Sequence, residues 1–305
     1  MKRKRMDRKK EFLLTKIIAT PGPASASPAV IEKMIQEGVR VFRINFSHGT
    51  FDQYETLLER VRAASARLDI PVGVLGDLAG PKIRVGQVVD GGVELIRGQR
   101  VEFQTDALVT LPPEQPDGPV VFSTTWPDFI SEVQPGETIL LDDGYVRLRC
   151  LEQQGDRLVC EVVDGGRITS GKGVNLPDTA LSGPALTDKD LACVEFAVAR
   201  GFDYLALSFV RGSDDVRQLK AKLRELGARP GAHFPYSENQ LEFSTVEVES
   251  ESTIPVISKI EKPQAVVNLI DILRETDAVM IARGDLGVEM DLAEVAVTQK
   301  RIITL

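Results

Sequence analysis

The sequence predicts an α/β protein: a parallel barrel of strand–helix units, interrupted by a small antiparallel β domain. Three observations predict it. Short apolar runs alternate with amphipathic helices in a strand-then-helix rhythm. A central stretch changes to period-two alternation broken by Gly-containing turns. Charged residues arrive repeatedly where the apolar strands should end, which is where barrel enzymes place their ligands. A doubly wound open sheet is the competing architecture. The barrel is preferred because the charged strand ends run along the whole chain. No glycine-rich dinucleotide fingerprint follows the first strand.

Residues 15–20 read as the first strand, and 27–37 as a helix opened by Ser27-Pro28, with proline at its first position. The second strand spans 39–46. A long helix follows over 50–68, with Tyr54, Leu57, Leu58 and Val61 on one stripe. The third strand spans 72–78. From 87 to 172 the texture is β, with short strands at 94–97, 138–141, 146–149 and 157–163. The turns between them are Asp90-Gly91-Gly92, Pro135-Gly136, Asp143-Gly144 and Asp164-Gly165-Gly166. The βα rhythm then resumes. It gives a helix at 186–199, a strand at 204–209, a helix at 213–226, a strand at 254–259, a helix at 263–274, a strand at 278–282 and a helix at 291–303.

The domain expectation is therefore residues 1–86 as the first part of a barrel, 87–172 as an inserted small β-barrel, and 173–305 as the second part. The insert of about 86 residues leaves roughly 219 for the barrel, where about 250 is typical. Six βα units are counted, so the expectation is a TIM-type (β/α)8 barrel truncated after six units, with exposed strand edges. The segment 229–258 fits this scheme poorly. It separates a helix from the next strand by more than the usual two to six residues, and it holds Glu238, Glu242, Glu247, Glu249 and Glu251. It reads as an acidic surface excursion, with a partner-binding loop as the alternative.

Composition excludes several classes. With 305 residues, 43% hydrophobic and 27% charged, the chain can bury a large core. No apolar run approaches the ~20 residues of a membrane span, and no secretory h-region follows the basic start, 1–10. Without that start the chain holds 30 basic and 44 acidic residues, a poor surface for nucleic acid. The odd set Cys150, Cys160 and Cys193 lacks metal-ligand spacing and reads as reduced, cytoplasmic thiols. His48 and His233 are the only histidines. Acid–base or metal chemistry must therefore rest on carboxylates, lysine and hydroxyls.

Two strand ends carry the densest chemistry: Ser258-Lys259-Ile260-Glu261 and Ala282-Arg283-Gly284-Asp285-Leu286-Gly287. Lys259 and Glu261 lie two apart, so an extended backbone sends both to one face. Asp285 follows Gly284, which permits close backbone approach to a ligand. Two acids and a lysine at neighbouring strand ends suit a divalent metal with a phosphate or carboxylate. The plainer alternative is a structural ion pair between Lys259 and Glu261. A third charged strand end, Arg43-Ile44-Asn45-Phe46-Ser47-His48, favours the ligand reading.

Seven segments, in order, resemble the pyruvate kinase family. They are 15–25, 43–49, Gly76-Asp77-Leu78-Ala79-Gly80-Pro81-Lys82-Ile83-Arg84, Gly171-Lys172-Gly173-Val174-Asn175-Leu176-Pro177, Leu207-Ser208-Phe209-Val210-Arg211, 258–261 and 282–289. The resemblance implies a barrel with a β lid after the third strand and a C-terminal α/β domain that this chain lacks. It implies transfer of the phosphoryl group of phosphoenolpyruvate to ADP in glycolysis, giving pyruvate and ATP. Glu261 and Asp285 would hold Mg²⁺. Lys259 would lie against the moving phosphoryl group, and Arg43 and Arg84 would grip phosphate. The backbone at Gly284 and Asp285 would bind the substrate carboxylate. His48, Lys172 and Asp143 would contact the nucleotide. Asn45, Ser47, Asp77 and Leu78 would surround K⁺, but Lys82 stands where the family commonly has glutamate, so its ammonium replaces K⁺ and the ion is not required. For Arg43 and Arg84 the alternative is a salt bridge to Asp77 or Glu261. The family also implies a homotetramer. A second reading of the whole is a truncated, non-catalytic relative that still binds Mg²⁺ and phosphoenolpyruvate. An aldolase-type barrel is disfavoured, because it has no use for a nucleotide lid.

Overall fold

The computed structural model describes residues 15–105, 109–113, 118–227 and 254–305. The basic start and most of the acidic segment 229–258 lie outside the described residues. The chain divides into two compact units. One takes in the chain up to Leu78 with Asp190–Ala206 and Lys220–Val256; the other takes in Ala79–Lys189, Leu207–Leu219 and Ile257–Leu305.

In chain order the first unit begins with β1 (Ile17–Ala19), α1 (Pro28–Gln36), β2 (Val39–Asn45), α2 (Phe51–Leu68) and β3 (Gly73–Asp77). Pro28 occupies the first turn of α1, where a missing N–H costs nothing. Thr50 opens α2 with a capping box completed by Gln53, two orphan donors satisfied reciprocally. β1, β2 and β3 pair in parallel, with Val41 opposite Gly73 and Asn45 opposite Asp77. All of β3 is buried, as expected of a parallel strand covered on both faces. An aromatic cluster packs behind β2, with the Phe46 ring 4.9 Å from Tyr54 and 5.6 Å from Phe202. The Tyr54 hydroxyl donates to the carbonyls of Phe46 and Gly49 at 3.1 and 3.2 Å. That bond clamps the turn bearing Ser47 and His48. Gly49 has φ +100°, and a Cβ there would also meet the Tyr54 ring.

The second unit opens with the β-rich stretch. Its elements are β4 (Val93–Leu95), β5 (Arg100–Gln104), β6 (Val120–Phe122), α3 (Phe129–Glu132), β7 (Thr138–Leu141), β8 (Val146–Gln154), β9 (Arg157–Asp164), β10 (Gly166–Ile168) and β11 (Val174–Asn175). Six of them pair in the order β11-β7-β8-β9-β5-β6, and β10 pairs with β4. Along β8, Val146, Leu148 and Cys150 are buried while Arg147 and Arg149 are exposed, so the period-two pattern is a one-sided sheet face. Phe103, Phe122 and Phe129 fill the core beneath it.

The chain continues through α4 (Asp188–Ala199), β12 (Tyr204–Leu207), α5 (Ser213–Glu225) and β13 (Val256–Ile260). In the first unit, β12 pairs in parallel with β3, Ala206 opposite Asp77. Beyond β13 come α6 (Pro263–Val267), α7 (Leu269–Glu275), β14 (Ala278–Ile281), α8 (Arg283–Glu289) and α9 (Leu292–Ile303). In the second unit, β13 and β14 pair in parallel, Lys259 opposite Met280. β13 is almost wholly buried, whereas β14 is exposed or half-exposed.

Several elements differ from expectation. The helix expected over 263–274 breaks at Asn268, which ends α6 and starts α7 while its side chain donates to the Arg211 carbonyl at 2.8 Å. α8 is an additional helix, and it carries Gly284 and Asp285. β5, β6, β10 and β11 were not expected. Three of these four have two or three residues, too few to show a period, and their pairing is tertiary.

Candidate active site

In the second unit, Lys259 lies on β13 and Glu261 just beyond its end, 8% and 2% exposed. Lys259 Nζ lies 2.7 Å from Glu261 Oε1 and donates to Ser208 Oγ at 2.8 Å. The extended backbone does bring the two charges together, and the ion pair named as the plainer alternative is present. Glu261 Oε2 also accepts from the Phe209 backbone N–H at 2.7 Å. Phe209 has φ +54°, the left-handed region that aromatic residues rarely adopt. Gly80 makes room for it, because a Cβ there would come within 2.8 Å of the Phe209 ring.

Burial pushes the Glu261 carboxyl above the usual range, Lys259 and the Phe209 N–H oppose that shift, and the charge of Asp285 adds to it. Asp285 itself is exposed in the first turn of α8. Two carboxylates that repel each other, one of them largely dehydrated, are a donor set that a divalent cation would relieve. Among the described residues no cluster of three or more His, Cys, Asp or Glu side chains is spaced for a metal. A pair of carboxylates suits Mg²⁺, which keeps waters and takes substrate oxygens. The chain's residues therefore fit the ion.

The same unit holds a cleft lined by Lys82, Asp143, Asn175, Lys262, Asp285 and Glu289, among others. Asp142, Asp143 and Gly144 form a run of positive φ at one edge of it. Lys172 Nζ forms an ion pair with Asp142 Oδ1 at 2.8 Å. Arg84 donates from Nη1 to the Gly171 carbonyl at 2.9 Å, and no ion pair joins it to Glu261 among the described residues.

In the first unit, Arg43 on β2 donates from Nε to Asp77 Oδ2 at 2.6 Å, with Nη2 against the same oxygen, and from Nη1 to Thr20 Oγ1 at 3.0 Å. The salt bridge to Asp77 considered for Arg43 is thus present. Asn45 Oδ1 accepts from the Ser47 N–H at 3.0 Å, a side-chain-closed turn. Leu78 is buried and donates to the Ala206 carbonyl at 3.0 Å. His48 is exposed in the turn before α2.

Four residues here went without a role in the sequence reading: Asn175, Phe209, Lys262 and Glu289. Asn175 and Phe209 stand inside recognised segments. Glu289 closes one. Lys262 had a signal of its own, a second lysine directly after Glu261 and before Pro263.

Fold and site together define an α/β barrel protein with a carboxylate pair and a buried lysine at parallel strand ends. Comparison with known proteins makes this specific. The family model for the pyruvate kinase barrel domain matches residues 12–230 and 235–305. Pyruvate kinase of Corynebacterium glutamicum is 39% identical over 291 residues, covering 95% of this chain and 55% of that protein. That of Thermococcus litoralis is 39% identical over 293 residues, covering 95% and 54%. That of Mycobacterium tuberculosis is 38% identical over 290 residues, covering 95% and 55%. The chain belongs to the pyruvate kinase family. It spans about half the length of the curated relatives it matches.

Proposed function

We propose that this chain carries Mg²⁺-dependent machinery for phosphoryl transfer from phosphoenolpyruvate to ADP, a cytoplasmic step of glycolysis. The observation that carries the reading is Glu261: a dehydrated carboxylate held by Lys259 and the Phe209 N–H and repelled by Asp285. Glu261 and Asp285 would hold the ion. The bound ion would supply positive charge against the substrate's carboxylate and phosphate oxygens. Lys259 then exchanges its Glu261 partner for the phosphoryl group and stabilises charge as it moves; catalysis of this kind is positioning plus electrostatics. Arg43 and Arg84 grip phosphate, and the α8 backbone at Gly284 and Asp285 meets the substrate carboxylate. His48, Lys172 and Asp143 serve the nucleotide, with a second Mg²⁺ arriving on ADP. The β stretch 87–172 acts as the lid domain between barrel parts 1–86 and 173–305.

Asn45, Ser47, Asp77 and the Leu78 backbone correspond to the family's K⁺ site, and Lys82 supplies the monovalent charge in its place. The rate is therefore expected to be independent of K⁺.

The test is pyruvate formation from phosphoenolpyruvate, ADP and Mg²⁺, with K⁺ replaced by a bulky cation and then restored. Turnover supports the catalytic reading, and strong activation by K⁺ refutes the role of Lys82. A second reading is binding of Mg²⁺ and phosphoenolpyruvate without turnover, for which the carboxylates of Glu261 and Asp285 with Lys259 beside them would suffice. Mg²⁺-dependent binding of phosphoenolpyruvate with no pyruvate formed would select it. Absence of that binding removes both readings.

A further inference from the structure

One buried cluster in the second unit has no part in the chemistry above. Lys262 and Glu289 are 5% and 6% exposed. Lys262 Nζ donates to both carboxylate oxygens of Glu289, at 3.0 and 3.1 Å. Asn175 Nδ2 donates to Glu289 Oε1 at 2.9 Å. One carboxylate thus joins three segments: the residue after β13 and Glu261, the last residue of α8, and the last residue of β11.

The positions are what matter. Lys262 follows Glu261 directly. Glu289 lies four residues beyond Asp285 on the same short helix, so the two share a face. A contact between residues 262 and 289 therefore ties the backbone that carries one metal-type carboxylate to the helix that carries the other. Both residues line the cleft that Asp285 also lines. Stability alone gives little reason for charge at this point. Dehydration offsets much of the attraction in a buried ion pair, and well-packed apolar residues of similar volume commonly do as well. What such a pair supplies is direction: a carboxylate engaged through both oxygens and steadied by an amide holds its helix at one angle.

We propose that Lys262 and Glu289 are positioning residues that keep Glu261 and Asp285 at the spacing a divalent cation needs, with Asn175 steadying Glu289 from β11. The proposal rests on the reading of Glu261 and Asp285 as the cation's ligands. Groups that orient metal ligands commonly change affinity about tenfold or more when altered.

The test is Mn²⁺ binding to the 305-residue chain, followed by the electron paramagnetic resonance signal of free Mn²⁺, with a thermal melt of each variant alongside. The double variant K262M/E289Q removes both charges at once, so net charge is unchanged and neither charge is stranded. The glutamine carbonyl still accepts from Asn175. The expected result is a cooperative melt near that of the parent and a Kd for Mn²⁺ raised on the order of tenfold. An unchanged Kd in the folded variant overturns the proposal. If K262M/E289Q does not melt cooperatively, N175A decides. It leaves the ion pair but frees one side of Glu289, and a Kd raised about threefold is expected, the worth of one ordinary hydrogen bond. An unchanged Kd there also overturns the proposal. E261Q separates the two levels. If the parent binds no Mn²⁺, or E261Q binds it equally well, the reading of the ligands fails. If E261Q loses binding and K262M/E289Q keeps it, only the positioning role fails.

Discussion

Each unit ends a parallel strand with a cation paired to a carboxylate, and the two ends differ in which partner is buried. At the end of β13 both Lys259 and Glu261 are buried, and Glu261 has a second tie in the Phe209 N–H. At the ends of β2 and β3 only Asp77 is fully buried; Arg43 is half-exposed and spreads its guanidinium over Asp77 and Thr20. A guanidinium has five donors in a planar fork, so Arg43 can keep Asp77 and still offer an edge to an incoming anion. An ammonium is a compact point charge. Under the proposed function Lys259 would therefore meet a ligand by exchanging partners, with the Phe209 N–H still holding Glu261. The difference is that one strand end could take a ligand while keeping its pair, whereas the other would have to open its pair.

The largest expected effect comes from breaking the buried pair. K259M leaves the Glu261 carboxylate buried without its cation, which costs about 3–5 kcal/mol for such pairs. A thermal melt or urea titration measures the loss, and pyruvate formation is expected to fall by about 10²–10³-fold as well. A K259M chain as stable as its parent would erase the distinction drawn between the two ends. Next is G80A. Gly80 has φ +67°, and its added Cβ would press on the Phe209 ring and the Ser208 carbonyl. A loss of about 1–3 kcal/mol by urea titration is expected, the ordinary cost of such strain. A neutral G80A would show that the Phe209 conformation yields easily.

R43K is milder for stability and sharper for ligand. The charge stays, but the fork that holds Asp77 and Thr20 and would face an anion is lost. Titration with phosphoenolpyruvate should show about tenfold weaker binding, the worth of one charged hydrogen bond, with little change in melting. A large melting shift instead would mean that Arg43 is chiefly a structural partner of Asp77. The smallest effect belongs to the exposed pair Arg200–Glu55, 2.8 Å apart. E55Q should change stability by at most about 0.5 kcal/mol, as exposed pairs do. It provides the baseline for the other three.

Much of the fold was legible because its elements obey simple periods. The 138–141 strand was read with its exact ends, and alternation over 146–149 showed the buried Val146 and Leu148, although β8 runs on to Gln154. Of the α2 stripe Tyr54, Leu57, Leu58 and Val61, all but the half-buried Leu57 are buried, and Ala64 continues it. What was hidden depends on partners distant in sequence. β6 is three residues long and is a strand only because β5 lies beside it. The split at Asn268 comes from a bond to the Arg211 carbonyl, 57 residues away. At the site, the pairing of Lys259 with Glu261 followed from their spacing of two. The Lys262–Glu289–Asn175 cluster did not, since its members span 114 residues and no local period links them.

Phe209 has a consequence for anyone who would improve this chain by selection. Its conformation suits glycine or asparagine better than an aromatic ring. A screen for heat tolerance alone would reward Phe209→Asn wherever the strain relieved exceeds the packing lost with the ring. The same exchange would remove the ring that packs on Gly80, and with it the wedge that keeps the 209 amide pointed at Glu261. Winners of such a screen would drift toward a sturdier protein whose Glu261 carboxylate has lost a fixed partner. Alternating rounds, one for endurance and one for Mn²⁺ capture, would keep the phenylalanine.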